Sequence, residues 1–145
     1  MIKYPTSFQT TDILVINRLK NEVLLGRKPT EDKFRLIGGF VSPEDLSLED
    51  AASRELREEA GINLEVGTPK YQFSYRVDDK RYRDSQDKIL TAVFICDYLF
   101  GFAQAGDDIS EIKWIDTDEL SVLYRDLIVD THQPLIKKLI EMGQF

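Results

Sequence analysis

The chain holds one cysteine and one histidine among 145 residues. A lone cysteine excludes an internal disulfide; Cys96 lies in the apolar run at residues 92–96 and is read as a buried structural thiol. A lone histidine excludes a zinc site built on several imidazoles. His132, near the start of the last expected helix, is given a structural or surface role. There is no G-x-x-x-x-G-K-[ST] loop and no G-x-G-x-x-G turn, which sets aside P-loop and dinucleotide-binding folds. No apolar run approaches about 18 residues, so no spanning helix and no membrane partner are expected. Residues 1–10 lack the basic-then-apolar pattern of a secretory leader, and a cytoplasmic location is the expectation. Cations are also short: 19 Lys and Arg face 26 Asp and Glu, for a net charge of −7. That balance is poor for binding nucleic acid phosphates.

What is present suits one folded unit over residues 1–145, with 42% hydrophobic and 31% charged residues. Apolar residues 12–18 and 22–27, separated by Lys20-Asn21, predict a hairpin. Residues 34–41 predict a strand that ends in a tight turn at Gly38-Gly39. Ser47 and Asp50 resemble a capping box, and Gly61 is a natural stop, so a helix is expected over residues 48–60. Alternation of Tyr71, Phe73, Tyr75 and Val77 predicts a half-buried strand, followed by a charged loop over 77–87. Further strands are expected at 89–98 and 112–115, a brief helix from 116 to 120, and a terminal helix over 131–142. Strands and helices are mixed rather than strictly alternating. The expected class is therefore α/β of the α+β type, a mixed sheet flanked by helices.

The missing positive charge has an address. Between Glu44 and Glu59 seven acids stand against two arginines. On a helix, Glu55 and Glu59 point the same way from adjacent turns, with Glu58 beside them. Like charges at that spacing cost about 0.2–0.5 kcal/mol per pair, and the macrodipole disfavours acids near a helix C-terminus. A solvated face with Arg54–Glu58 and Asp50–Arg54 pairs is the bland reading. A site for a hard divalent cation, which prefers carboxylate oxygens, is the functional one. The run Arg54-Glu55-Leu56-Arg57-Glu58-Glu59-Ala60-Gly61-Ile62 resembles the core of the Nudix box, R-E-U-x-E-E-x-G-U, at every specified position. The family pattern has fourteen steps from its first glycine to the arginine; Gly39 to Arg54 is fifteen, and Asp45 is the acid nearest to the pattern's upstream glutamate. The stretch from Gly38 to Gly61, with Thr11-Asp12, Arg27, Arg83-Asp84 and residues 105–108 ahead of Trp114, is similar to the Nudix branch that acts on or senses ADP-ribose. Some members of that branch are fused to nicotinamide-mononucleotide adenylyltransferases.

The resemblance implies a Nudix fold, an α/β/α sandwich, and metal-dependent hydrolysis of a diphosphate bond. It implies Mg²⁺ or Mn²⁺, two or more ions, held by Glu55, Glu58, Glu59 and the carbonyl of Gly38, with Arg54 organising the glutamates. A general base is expected among Asp107, Asp108 and Glu111; a turn that caps a short element is the alternative for the first two. Arg27, Gly39, Phe40, Arg83 and Asp84 are the expected substrate contacts, with surface ion pairs the alternative for both arginines. Phe8, Phe34 and Tyr82 are adenine-stacking candidates or core residues. The partner is a small nucleotide, ADP-ribose foremost; dinucleoside polyphosphates, NADH, FAD or damaged triphosphates are the rival substrates. An ADP-ribose-sensing regulator is the rival function, disfavoured by the intact glutamates, by the lack of a basic block and by the chain's end at Phe145. The assembly stays open, with a homodimer among the options.

Overall fold

The computed structural model describes residues 4–145. The expectation for the N-terminal ten residues therefore falls partly, at residues 1–3, outside the described ones.

The organising strand is β1 (Ser7–Asn17). One edge pairs in parallel with β6 (Lys88–Gly101) over ten residues, from Ser7↔Lys88 to Ile16↔Asp97. Its other edge is divided. Residues 10–13 pair with β3 (Ile37–Phe40), and residues 15–17 pair with β2 (Glu22–Arg27), both antiparallel. Outside β2 lies β7 (Glu111–Asp116). The far edge of β6 takes β5 (Lys70–Val77) and, near its end, β4 (Leu64–Val66).

The sheet is covered on both faces, which is why β1 reads as a continuous apolar run and not as an alternating one. Ile13 and Val15, with Leu24, Ile37, Ala92, Phe94 and Cys96, pack under helix α1 (Leu48–Ala60) through Ala52, Leu56 and Ala60. Leu14 and Ile16, with Val93, Ile95 and Phe73, pack on the opposite face. That face is closed by α2 (Thr117–Leu127) and α3 (Gln133–Glu141), through Leu120, Leu135, Ile136 and Leu139. Each such side chain, wholly removed from water, contributes about 1.5–3 kcal/mol. The result is the α/β/α arrangement expected, with a mixed sheet. No helix among the described residues is long and apolar enough to cross a membrane.

The helix α1 begins and ends where its caps predict: Ser47 accepts from the Asp50 N–H, and the Gly61 N–H donates to Arg57 at φ 91°. Other elements differ from expectation. The strand β1 starts five residues early, because residues 7–11 pair with β6 throughout and Thr10 and Thr11 pair with β3 as well. A regular strand covers only Ile37–Phe40; Phe34 and Arg35 make isolated bridges to Ile128 and Gly26. In β5 the register shifts between Tyr71 and Phe73, so Tyr71 leaves the face of buried Phe73 and packs edge-to-face with Phe94; Tyr75 keeps that face but stays exposed beside Lys138. The helix α2 runs on to Leu127, and α3 starts at Gln133 behind a short 3₁₀ turn, Asp130–His132.

Candidate active site

The fork in β1 places the Gly38-Gly39 backbone directly beside α1. Alternation along β3 turns these two residues toward opposite faces. A methyl group at Gly39 would fall 2.5 Å from Oε1 of Glu55, on the α1 side. One at Gly38 would fall 2.8 Å from Oδ1 of Asp12 and would run into the Thr11 carbonyl. Carboxylates thus close on the glycine pair from both faces, an approach that a Cβ at either position would block.

Glu55 and Glu59 are buried, whereas Glu58 is exposed. Glu59 accepts the Gly38 N–H at 3.0 Å. Burial, reinforced by Glu55 and Asp107, pushes the Glu59 carboxyl up to about 7 despite that hydrogen bond. Burial likewise raises Glu55, with Glu58 and Asp107 adding to the effect and Arg54 opposing it. Arg54 binds the cluster together. It donates to both oxygens of Asp45 at 2.9 Å, to Glu55 at 3.1 Å, to Glu58 at 3.2 Å and to the Phe40 carbonyl at 3.1 Å. Its hydrogen bonds hold the Asp45 carboxyl below the usual range. The loop with one additional residue therefore still delivers an acid to Arg54, and Asp45 also accepts the Ser42 N–H at 2.7 Å. Of the two pairs in the solvated-face reading, Arg54–Glu58 forms, whereas Asp45 and not Asp50 is the other partner of Arg54.

The loop carrying Asp107 and Asp108 is seated on the end of α1. The Gly106 and Gln104 N–H groups donate to the Glu59 and Ala60 carbonyls, satisfying acceptors that a helix terminus leaves open. Asp107 adopts φ 51°, a left-handed conformation that Asp tolerates. Asp107 and Asp108 are exposed and line one cleft of about 490 Å³ with Glu55, Glu59, Gly38, Gly39 and Phe40. The same cleft is lined by three cations that the sequence did not announce: Lys28, Arg35 and Arg81. Arg35 is braced by Glu31 at 2.8 and 2.9 Å, and Arg81 by Asp79 at 2.8 and 3.0 Å, with its guanidinium 5.8 Å from the Phe40 ring. Asp12 and His132 form part of the floor. Six carboxylates against three cations leave the cleft acidic.

Four expected contacts are not brought to this cleft. Arg27 and Glu111 face each other across the β2–β7 register and pair at 3.2 Å, so each is spent on the other. This is the surface ion pair weighed for Arg27, and neither Arg27 nor Glu111 lines the cleft that holds the glutamates. Arg83 pairs with Asp78 at 3.1 Å and lines an adjoining cavity. Asp84 is exposed and lines neither. Of the aromatic candidates, Phe8 and Tyr82 stack on each other at 5.1 Å and Phe34 packs on the core. Phe40 is the ring at the cleft, 44% exposed. Cys96 is buried, its thiol pushed up to about 12 by burial, and His132 is buried as well. Arg35 lies outside the regular strand, and neither it nor Lys28 nor Arg81 carries a local pattern that would have flagged it.

The donors fit a hard divalent cation. They are carboxylate oxygens, two of them buried with raised pKa values, beside a backbone that lacks side chains. Among the described residues no three carboxylate, imidazole or thiol groups already enclose a point. Arg54 engages Glu55 and Glu58, and a cation would compete with it for them.

Comparison with known proteins agrees with this geometry. Over 125 residues the chain is 33% identical to an ADP-ribose pyrophosphatase of Methanocaldococcus jannaschii, covering 86% of this chain and 63% of that protein, so it spans less than two thirds of that relative. A MutT protein from Methanosarcina mazei Go1 shares the fold with a TM-score of 0.75 at 19% identity, covering 99% of this chain and 100% of that one. A bifunctional NMN adenylyltransferase/ADP ribose pyrophosphatase from Francisella tularensis, complexed with AMP and a manganese ion, gives 0.65 at 21% identity, covering 97% of this chain and 43% of that one. Residues 7–139 match the NUDIX domain, and the chain belongs to that family.

Proposed function

We propose that this chain hydrolyses the diphosphate of a nucleoside diphosphate derivative, with ADP-ribose as substrate and AMP and ribose 5-phosphate as products. The observation that carries the reading is one cleft lined both by two buried carboxylates, Glu55 and Glu59, and by three cations, Lys28, Arg35 and Arg81. The relative named ADP-ribose pyrophosphatase supports the choice of substrate.

Glu55, Glu59 and the Gly38 carbonyl would hold Mg²⁺ or Mn²⁺, two or more ions if Glu58 leaves Arg54 to join them. Such ions, when bound, neutralise phosphate charge and acidify water. The remaining work belongs to the chain. Lys28, Arg35 and Arg81 meet the charge of the two phosphates, and Arg35 and Arg81 are already held in place by Glu31 and Asp79. Phe40 offers its exposed ring to the base, in the manner of other stacking platforms. Asp107 or Asp108 takes the proton as water adds to phosphorus, and the anhydride P–O bond breaks with its electrons leaving on the departing phosphate oxygen.

Comparing kcat/KM for ADP-ribose, NADH, FAD, diadenosine polyphosphates and 8-oxo-dGTP tests the substrate. ADP-ribose should lead by at least about tenfold, roughly 1.4 kcal/mol of transition-state preference. A leading dinucleoside polyphosphate or oxidised triphosphate would overturn the substrate and leave the family unchanged.

A further inference from the structure

His132 and Asp12 have no part in the hydrolysis proposed above, yet both are buried beneath the cleft. The imidazole makes two different contacts. Nδ1 accepts the Leu36 N–H at 3.0 Å, so the proton of the neutral ring resides on Nε2. That nitrogen lies 3.8 Å from Oδ1 of Asp12, longer than a direct hydrogen bond but close enough for its positive N–H end to interact with a buried carboxylate. The other oxygen of Asp12 accepts the Thr91 hydroxyl at 2.5 Å. A buried carboxylate keeps its place only with such partners. Asp12 is the register partner of Gly38, and its Oδ1 occupies the space that a side chain at Gly38 would need; the Gly38 N–H in turn holds Glu59.

We infer that His132 is a positioning residue: through Asp12 it fixes the Gly38-Gly39 backbone against which Glu55 and Glu59 are held, and thereby sets their affinity for a divalent cation. This rests on the cation reading of those glutamates. The chain of contact runs from the 3₁₀ turn at Asp130–His132, through β1, to β3 and α1, so one layer of the sandwich adjusts the carboxylates of the other.

A purely architectural role would use only Nδ1, which ties the start of α3 to Leu36. The two nitrogens can be separated. His132→Asn keeps an acceptor near Nδ1 and lacks the Nε2–H; His132→Gln restores an amide N–H near Nε2. Thr91→Val removes the second donor to Asp12 without touching the Leu36 bond. Mn²⁺ binding to the full chain is read by electron paramagnetic resonance, beside thermal melting. His132→Asn and Thr91→Val should each bind Mn²⁺ about tenfold more weakly, a usual effect of losing a partner behind a ligand. His132→Gln should recover most of the affinity, and neither change should add to Asp12→Asn in the double variant. Unchanged Mn²⁺ affinity in a folded His132→Asn chain overturns the inference; should that chain fail to fold, unchanged affinity in Thr91→Val does so. A wild-type chain that binds no Mn²⁺ overturns the cation reading and this inference with it.

Discussion

Glu59 carries a measurable tension between burial and charge. Its carboxyl, at about 7, stands above the ordinary value of 4.5 because burial disfavours the anion. A group whose folded pKa is raised favours the folded state in its protonated form. That contribution is complete below about pH 4.5 and is lost as pH rises through about 7. The metal-free protein should therefore melt lower at pH 8 than at pH 5, and Glu59→Gln should flatten the dependence. Melting curves in chelator decide this; equal slopes in the two proteins would contradict the assignment. Proton transfer is also a matter of single residues. With Glu111 paired to Arg27, the base is sought between Asp107 and Asp108, and Asn at one of them should lower kcat by roughly 10²–10⁴-fold. Single-turnover rates check it, and two mild variants would place the base elsewhere.

At the scale of elements, α1 was legible almost entirely. Its caps, its apolar stripe of Ala51, Ala52, Leu56 and Ala60, and its glutamate spacing are all local, and local chemistry survives folding. The polar start of β1 was not legible, because its order comes from neighbours distant in sequence. The bulge in β5 took Tyr71 out of an alternation that Phe73, Tyr75 and Val77 keep, and of these only Phe73 is buried. The cleft was half legible: the acidic wall comes from one helix and one loop, whereas Lys28, Arg35 and Arg81 come from separate segments that only the fold brings together. The glycine pair joins the two levels. Gly38→Ala must displace the Thr11 backbone as well as Asp12, so a loss of at least about 1–3 kcal/mol is expected, the range for overfilling a packed site. Urea titration measures it. A change within about 0.5 kcal/mol, the scale of an ordinary surface substitution, would show that β3 is not so tightly held.

For the whole molecule, the sandwich brings an acidic helix from one layer and three cations from the segments that flank β2, β3 and β5 to a common cleft. Its net acidity would repel a diphosphate unless cations intervene. That dependence is the centre of the account, and release of AMP from ADP-ribose, followed against Mg²⁺ concentration for the wild type, Glu55→Gln and Glu59→Gln, tests it most directly. The wild type should be inactive in chelator and saturate with Mg²⁺. Each variant should stay folded and lose at least about 10²-fold in kcat at saturating metal, the scale seen when a preorganised charge is removed from a reacting centre. Turnover that persists in chelator, or a folded Glu59→Gln chain with wild-type kcat, would contradict it.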